Sequence, residues 1–182
     1  MNRHAFDKFY TGFLFVLIDF RIQGFDVLPD IIGYIFLAVG LSALAAYGNN
    51  FKTASFFNIP MMIISLFSIY EKPAQQSGIN FGFMGIWGIP VAVAGFVLNL
   101  LVVYYLFKGI KDMARDRGIF QIMDEADQRW KQFLLLQFAA IFGIILFVLP
   151  VLAIVYIVGM LIFSIWLTVA VMKFMKACGE YL

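Results

Sequence analysis

The chain has 182 residues, of which 63% are hydrophobic and 13% charged, with a formal net charge of +2. A soluble domain is about half apolar and about a quarter charged, so this composition excludes an ordinary soluble protein. The small net charge gives no indication of nucleic-acid binding, and the single cysteine, Cys178, excludes an intrachain disulfide and a CxxC metal or redox motif.

The apolar residues form continuous runs, such as residues 133–136 and 144–149. A membrane β-barrel would instead show alternating segments of about ten residues. Because backbone polar groups inside a bilayer must pair within the chain, these runs predict membrane-spanning helices.

Six segments approach the length of about 20 residues that a helix needs to cross the hydrocarbon core. We therefore predict an all-α membrane protein, with six transmembrane helices arranged as three hairpins in a single domain over residues 1–182. The predicted spans are residues 6–23, 30–47, 53–70, 88–108, 132–149 and 151–173. Asp19 and Arg21 interrupt the first of them, where a short interfacial helix is the alternative.

Basic residues predict the orientation, because Lys and Arg in loops remain on the cytoplasmic side. With the N-terminus inside, eleven of the 13 basic residues belong to cytoplasmic segments, and Arg21 and Lys72 lie outside. The eleven are Arg3, Lys8, Lys52, Lys108, Lys111, Arg115, Arg117, Arg129, Lys131, Lys173 and Lys176. We therefore predict that the N- and C-termini are both cytoplasmic.

Prolines support the division into hairpins. Pro29, Pro90 and Pro150 each stand at the predicted start of a helix that runs from outside to inside. Proline suits a first helical turn, where the N–H that it lacks would have no partner. Pro60 lies within the third span and predicts a kink there.

The first outer turn, residues 22–25, is bracketed by Asp19, Arg21, Asp26 and Asp30. Charges at a membrane are costly, and they usually pair or line a pathway. Arg21 and Asp19 are two residues apart and do not face each other on a helix, so we expect Arg21 to pair with Asp26 or Asp30 across the turn. The cluster is interpreted either as an ion pair that fixes orientation or as a cation or proton site with Asp19 as its buried member.

Asn99 lies near the middle of the fourth span. A lone amide in lipid seeks a hydrogen bond to another helix, which makes structural stabilisation one interpretation and contact with a solute the other. Small residues at Ala38, Ser42 and Ala46, and at Ala139 and Gly143, predict close helix packing and also allow a homo-oligomer.

The longest polar stretch, residues 109–131, is predicted to be a cytoplasmic amphipathic connector. Gly118 is expected to end an extension of the fourth span. Glu125 with Arg129 and Asp127 with Lys131 are spaced as i, i+4 ion pairs. The apolar face is interpreted as lying on the membrane or as a docking site for a membrane or cytoplasmic protein. The candidate partner contacts are Ile119, Ile122, Met123 and Trp130.

The sequence offers no catalytic motif. His4 is the only histidine, and HExxH, Walker A and GxGxxG sequences are missing. We therefore expect no enzyme activity, no catalytic residue, no cofactor and no metal site.

Two segments carry a resemblance: residues 22–34 read IQGFDVLPDIIGY, and residues 174–182 read FMKACGEYL. In both, the chain resembles small multi-span membrane proteins of Gram-positive bacteria that have no assigned activity. The resemblance implies a bacterial plasma membrane and no site residues.

Two functions compete. The first is a non-catalytic accessory or regulatory membrane protein that acts through its helix faces and connector, with the lipid bilayer and another protein as partners. The second is a component of a small-solute or ion transporter, in which the Asp19–Asp30 cluster, the 71–88 loop and Asn99 line an outward-facing pocket. In size and span number the chain is similar to the substrate-binding subunits of energy-coupling-factor vitamin transporters, although their small-residue motif in the first span is not evident.

Overall fold

The structure is a computed structural model that describes residues 2–17, 21–22, 25–26, 29–67, 88–146 and 150–182. Side chains are described over residues 2–17, 29–66, 88–143 and 152–182. The elements of this part of the chain are, in order, α1 (Arg3–Leu17), β1 (Arg21–Ile22), β2 (Phe25–Asp26), α2 (Asp30–Leu44), a 3₁₀-helix (Ala45–Tyr47), α3 (Asn49–Phe67), α4 (Gly88–Asp116), α5 (Phe120–Leu146) and α6 (Pro150–Tyr181).

The six α-helices form a closed ring. Each packs against its neighbours in the sequence, and α6 returns to pack against α1. Aromatic side chains fill the space between the helices. The ring centroid of Phe107 in α4 lies 5.9 Å from that of Phe13 in α1 and 5.9 Å from that of Phe174 in α6. Buried aromatic side chains supply a large share of core stabilisation. This cluster therefore stabilises the packing of α4 against α1 and α6, which are distant from it in the sequence.

One end of the bundle collects the starts of α1, α3 and α5 and the ends of α4 and α6; we call it the basic end. The side-chain amide of Asn2 donates to the Leu182 backbone oxygen at 2.6 Å, and Arg117 donates to the same oxygen. Asn50 donates to Asp112 at 2.6 Å. The basic residues of these helix ends and of the α4–α5 turn include Arg3, Lys52, Lys111, Arg115, Arg117 and Lys176.

Three helical segments are long and apolar enough to cross a membrane, within the described residues. They are Asp30–Tyr47, Gly88–Asp116 and Leu152–Tyr181, with mean hydropathies of 1.7, 2.2 and 2.5 respectively. Each of the six predicted spans overlaps a helix, but α1, α3 and α5 do not meet this criterion. In α1 the reason is length, since its 15 residues fall short of the roughly 20 that a bilayer requires. The charged first turns of α5 and the polar start of α3 dilute the apolar character of those helices.

The first predicted span, residues 6–23, is wrong at its C-terminal end. Helix α1 ends at Leu17, and β1 pairs antiparallel with β2, with Arg21 opposite Asp26 and Ile22 opposite Phe25. Residues 18–20 lie outside the described part. Charged residues around Arg21 disfavour a helix buried in hydrocarbon at this point. The β1–β2 hairpin pairs the backbone N–H and C=O groups there instead.

The prolines stand where helix starts were predicted. Pro29 immediately precedes α2, Pro150 is the first residue of α6, and Pro90 is the third residue of α4. Helix α3 continues through Pro60. The predicted long outer loop, residues 71–88, lies outside the described residues except for Gly88.

The segment predicted as a connector, residues 109–131, is made of the end of α4 and the start of α5. Residues 109–116 continue α4, residues 120–131 are the first turns of α5, and Gly118 forms the turn between them with a φ of 70°. That backbone conformation favours glycine, which is why the helix extension ends there as predicted. Helix α5 then runs without interruption because residues 120–146 contain no proline and keep an unbroken hydrogen-bond ladder. The polar stretch is therefore a helical hairpin that prolongs α4 and α5.

Candidate functional site

A buried polar network links α2, α3 and α4. The hydroxyl of Tyr34 donates to Asn99 Oδ1 at 3.0 Å, and Asn58 Nδ2 donates to the Tyr34 backbone oxygen at 2.9 Å. Tyr34 is 2% exposed and Asn58 is fully buried. The predicted interhelical hydrogen bond of Asn99 is thus confirmed, with Tyr34 as its partner.

Asn58 contributes an acceptor that the described residues leave unused. Its Oδ1 atom is buried and receives no hydrogen bond from the described part of the chain. The backbone oxygen of Tyr34 fixes the orientation of the Asn58 side-chain amide. Because that oxygen can only accept a hydrogen bond, the Nδ2 atom of Asn58 must face it. The oxygen therefore points away from Tyr34, available to an N–H, an O–H or a cation.

Asp30 lies one turn before Tyr34 on α2, at i, i+4 spacing, which places both residues on the same face of the helix. It stands in the first turn, where a carboxylate favours the helix dipole. The structure thus relates two of the predicted ligand or ion-binding residues to Tyr34, Asp30 by its spacing on α2 and Asn99 by its hydrogen bond.

The other residues of that predicted site belong to the first outer turn. The strand register places Arg21 opposite Asp26, one of the two partners expected across the turn. Their side chains, like the whole of Asp19, lie outside the described residues, so their ion pair and their role stay predictions.

Sequence reasoning missed Tyr34 and Asn58. Asn58 carried the same signal as Asn99, an amide within a predicted span, and could have been found by that argument. Tyr34 carried none, because a tyrosine near a predicted span end is usually read as an interfacial anchor.

The predicted partner-contact residues face inward. Ile122 is 4% exposed and belongs to the hydrophobic core, and Ile119, Met123 and Trp130 pack against that core. The ring of Trp130 lies 5.2 Å from Tyr104 and 6.1 Å from Phe133. Because the start of α5 packs on the bundle, its apolar face is already covered, and we do not retain it as a docking surface.

A cleft of about 220 Å³ opens beside these residues, between the end of α4 and the start of α5. Its lining combines basic, acidic and aromatic side chains: Tyr104, Phe107, Lys108, Lys111, Asp112, Arg115, Asp127 and Trp130. Lys111 pairs with Asp127 across the cleft, which corrects the expected pair of Asp127 with Lys131. The expected pair of Glu125 with Arg129 is confirmed at 2.7 Å.

The predicted small-residue face on α5 is a packing surface. Tyr156 of α6 donates its hydroxyl to the Ala139 backbone oxygen, and its ring lies against Gly143. The other stripe differs, since Ser42 on α2 and Ala46 in the following 3₁₀-helix are exposed.

Among the described residues, no group of three or more His, Cys, Asp or Glu side chains is placed to hold a metal ion. Comparisons with known proteins found no matching family model, no matching curated protein and no matching solved structure.

Proposed function

We propose that this chain is a six-span protein of a bacterial plasma membrane that acts as a non-catalytic accessory or regulatory component. In this proposal α1 to α6 all cross the bilayer as three hairpins, and the basic end faces the cytoplasm. The protein works by binding other membrane components and converts no substrate.

The contact between Asn2 and Leu182 supports an even number of crossings. Two residues joined by a 2.6 Å hydrogen bond lie on the same side of a membrane, and Arg117 of the α4–α5 turn joins them there. Because Lys and Arg in loops remain on the cytoplasmic side, Arg117 favours the cytoplasm as the side on which Asn2 and Leu182 also lie.

The observation that carries the accessory role is the aromatic core. Phe13, Phe107 and Phe174 stand in ring contact between α1, α4 and α6, and each is at most 2% exposed. Interiors packed in this way have few voids larger than a water molecule. A solute route to the basic end would have to displace these rings, whereas an accessory protein benefits from a rigid bundle.

Large apolar side chains remain exposed along the middle of α6. Ile162, Trp166 and Val169 recur at helical spacing and are each about half exposed or more. In the proposed orientation this stripe faces lipid or a helix of another membrane protein.

Cysteine mapping in a Cys178→Ser background tests the crossings. We expect a membrane-impermeant maleimide to label Gln76→Cys on intact cells and Gln121→Cys only after permeabilisation. Labelling of both on intact cells contradicts the proposed topology.

Photocrosslinking tests the accessory role. A photoreactive amino acid at Trp166 should crosslink to a second membrane protein in the native membrane, while the same group at the buried Phe174 should not. Adducts with lipid alone at both positions contradict a role that depends on a protein partner.

A transport component is the second candidate, favoured by the unpaired Asn58 Oδ1 atom within the Tyr34 and Asn99 network. A bound solute with an N–H or O–H group would supply the missing donor. Mass spectrometry of small molecules that co-purify with the protein tests this. Asn58→Leu should lose the solute and Thr53→Val, on the same helix but outside the network, should keep it. Retention by both variants contradicts the second candidate.

A further inference from the structure

The cleft between α4 and α5 carries three basic side chains on one wall. Lys108, Lys111 and Arg115 lie at successive turns of α4 and therefore share a face. Asp127 and Trp130 of α5 form the opposite wall, and the buried Phe107 lies beneath.

The basic groups of the cleft differ in how far they are neutralised. Lys111 is paired with Asp127, and Arg115 lies 3.5 Å from Asp112 with more than half of its side chain exposed. Lys108 makes no ion pair with the described part of the chain. Its ammonium group lies 5.7 Å from the Tyr104 ring centroid and 5.9 Å from that of Tyr105. Three cations against two carboxylates leave the lining with a net positive charge.

Aromatic side chains indicate where the cleft lies along the membrane normal. Tyr104 and Trp130 lie 5.2 Å apart at its edge. Such rings favour the boundary between hydrocarbon and headgroups, and the proposed orientation, on which this inference rests, places that boundary on the cytoplasmic side. Basic pockets between transmembrane helices on this side suit anionic headgroups.

We propose that this cleft binds the phosphate of an anionic phospholipid, with Lys108 as its main cation. Arg115 supplies further N–H donors, and its weak contact with Asp112 can be exchanged for a phosphate. Trp130 and Tyr104 contact the glycerol region. The volume of about 220 Å³ lies below the roughly 300 Å³ at which drug-sized pockets begin, which suits a small headgroup.

The test uses the full chain in a neutral detergent, with bound lipid counted by native mass spectrometry. Short-chain phosphatidylglycerol should bind more tightly than phosphatidylcholine of the same chain length. Lys108→Gln should weaken phosphatidylglycerol binding about fivefold, the effect expected for one basic residue near anionic lipid. Lys176→Gln, the same charge change at an exposed position of the basic end, should leave binding unchanged.

Lys108→Arg keeps the charge and should retain most of the binding, which separates loss of a cation from loss of fold. Equal binding of the two lipids, or equal losses in Lys108→Gln and Lys176→Gln, overturns the proposal. A third arm identifies the source of the phosphate. If inorganic phosphate at millimolar concentration displaces the lipid completely, the cleft takes a soluble phosphate and the lipid assignment is overturned.

These measurements need no bilayer, so their outcome is separate from that of the topology mapping. Failure of the cysteine labelling with intact lipid binding would reject the six-span proposal and keep the site. The reverse result would keep the topology and reject the site.

Discussion

Tyr34 holds three helices together because its two polar groups bond to different neighbours. The hydroxyl donates to Asn99 of α4, and the backbone oxygen accepts from Asn58 of α3. Hydrogen bonds between transmembrane helices contribute about 0.6 kcal/mol on average, so this network tunes stability and fixes the register of α2, α3 and α4.

A double-mutant cycle measures the first of these bonds. Tyr34→Phe and Asn99→Leu should each lower the free energy of unfolding, and the double variant should lose less than the sum. The expected coupling energy is about 0.6–1.7 kcal/mol, measured by denaturant unfolding in mixed micelles. Additive losses would show that the two groups do not interact.

Gly33 allows α1 and α2 to approach closely. A Cβ atom at this position would lie 2.6 Å from Val16 Cγ2 and 2.8 Å from the Gly12 backbone oxygen, and the backbone cannot move aside cheaply. Gly33→Ala should therefore destabilise the protein by about 1–3 kcal/mol through overpacking. Gly159→Ala is the matched control, because a Cβ there has no neighbour within 4 Å. A thermal unfolding series in detergent checks both, and equal midpoints would contradict the close approach.

At the scale of elements, α4 and α5 form a long hairpin that extends beyond their apolar segments. The hairpin is closed by Gly118 at the turn, by the pair of Lys111 with Asp127, and by the ring contact of Trp130 with Tyr104 of α4. Its inner face packs on the bundle, which explains why an amphipathic segment that looked unpartnered in sequence is covered.

The continuity of α5 is testable with a proline. Lys131→Pro places a residue without an N–H in the middle of α5, at an exposed site where packing is not disturbed. A continuous helix should lose about 3 kcal/mol or more of unfolding free energy, whereas Lys131→Ala should be nearly neutral. If a loop joined a surface helix to the span at this point, both variants would unfold alike. Denaturant titration followed by circular dichroism distinguishes the two.

At the scale of the whole molecule, the ring closes where α6 meets α1. Ser164 donates to the Leu17 backbone oxygen at 2.7 Å at the C-terminal end of α1, and at the basic end Gly179 lies against Arg3 and Phe6. These contacts join the first and last helices, so the two ends of the described chain are held together.

A disulfide tests this closure. A Cβ at residue 179 would lie 3.5 Å from Arg3 Cα, within the reach of a disulfide. Arg3→Cys with Gly179→Cys, in a Cys178→Ser background, should crosslink on mild oxidation and shift in gel mobility. Arg3→Cys with Gly159→Cys should not, because 20 residues of helix separate positions 159 and 179 by about 30 Å. Crosslinking of the control pair alone would reverse the assigned direction of α6.

The sequence alone determined the helical class, the approximate positions of the six helices and the starts of α2, α4 and α6 near prolines. These features depend on local chemistry: long apolar runs require internally paired backbone, and proline is well suited to a first helical turn. The role of Asn99 as an interhelical hydrogen-bond donor or acceptor also followed, since a lone amide in lipid must find a partner.

Only the tertiary structure decided which partner each polar group found. Tyr34 meets Asn99 and Asn58 because α2, α3 and α4 are neighbours in the ring, and Asp127 takes Lys111 from α4 in preference to Lys131 on its own helix. The end of α1 at Leu17 and the inward turn of the α5 start were likewise set by packing. Hydrophobic periodicity shows that a face is apolar, but it does not show whether lipid, another protein or the chain itself covers that face.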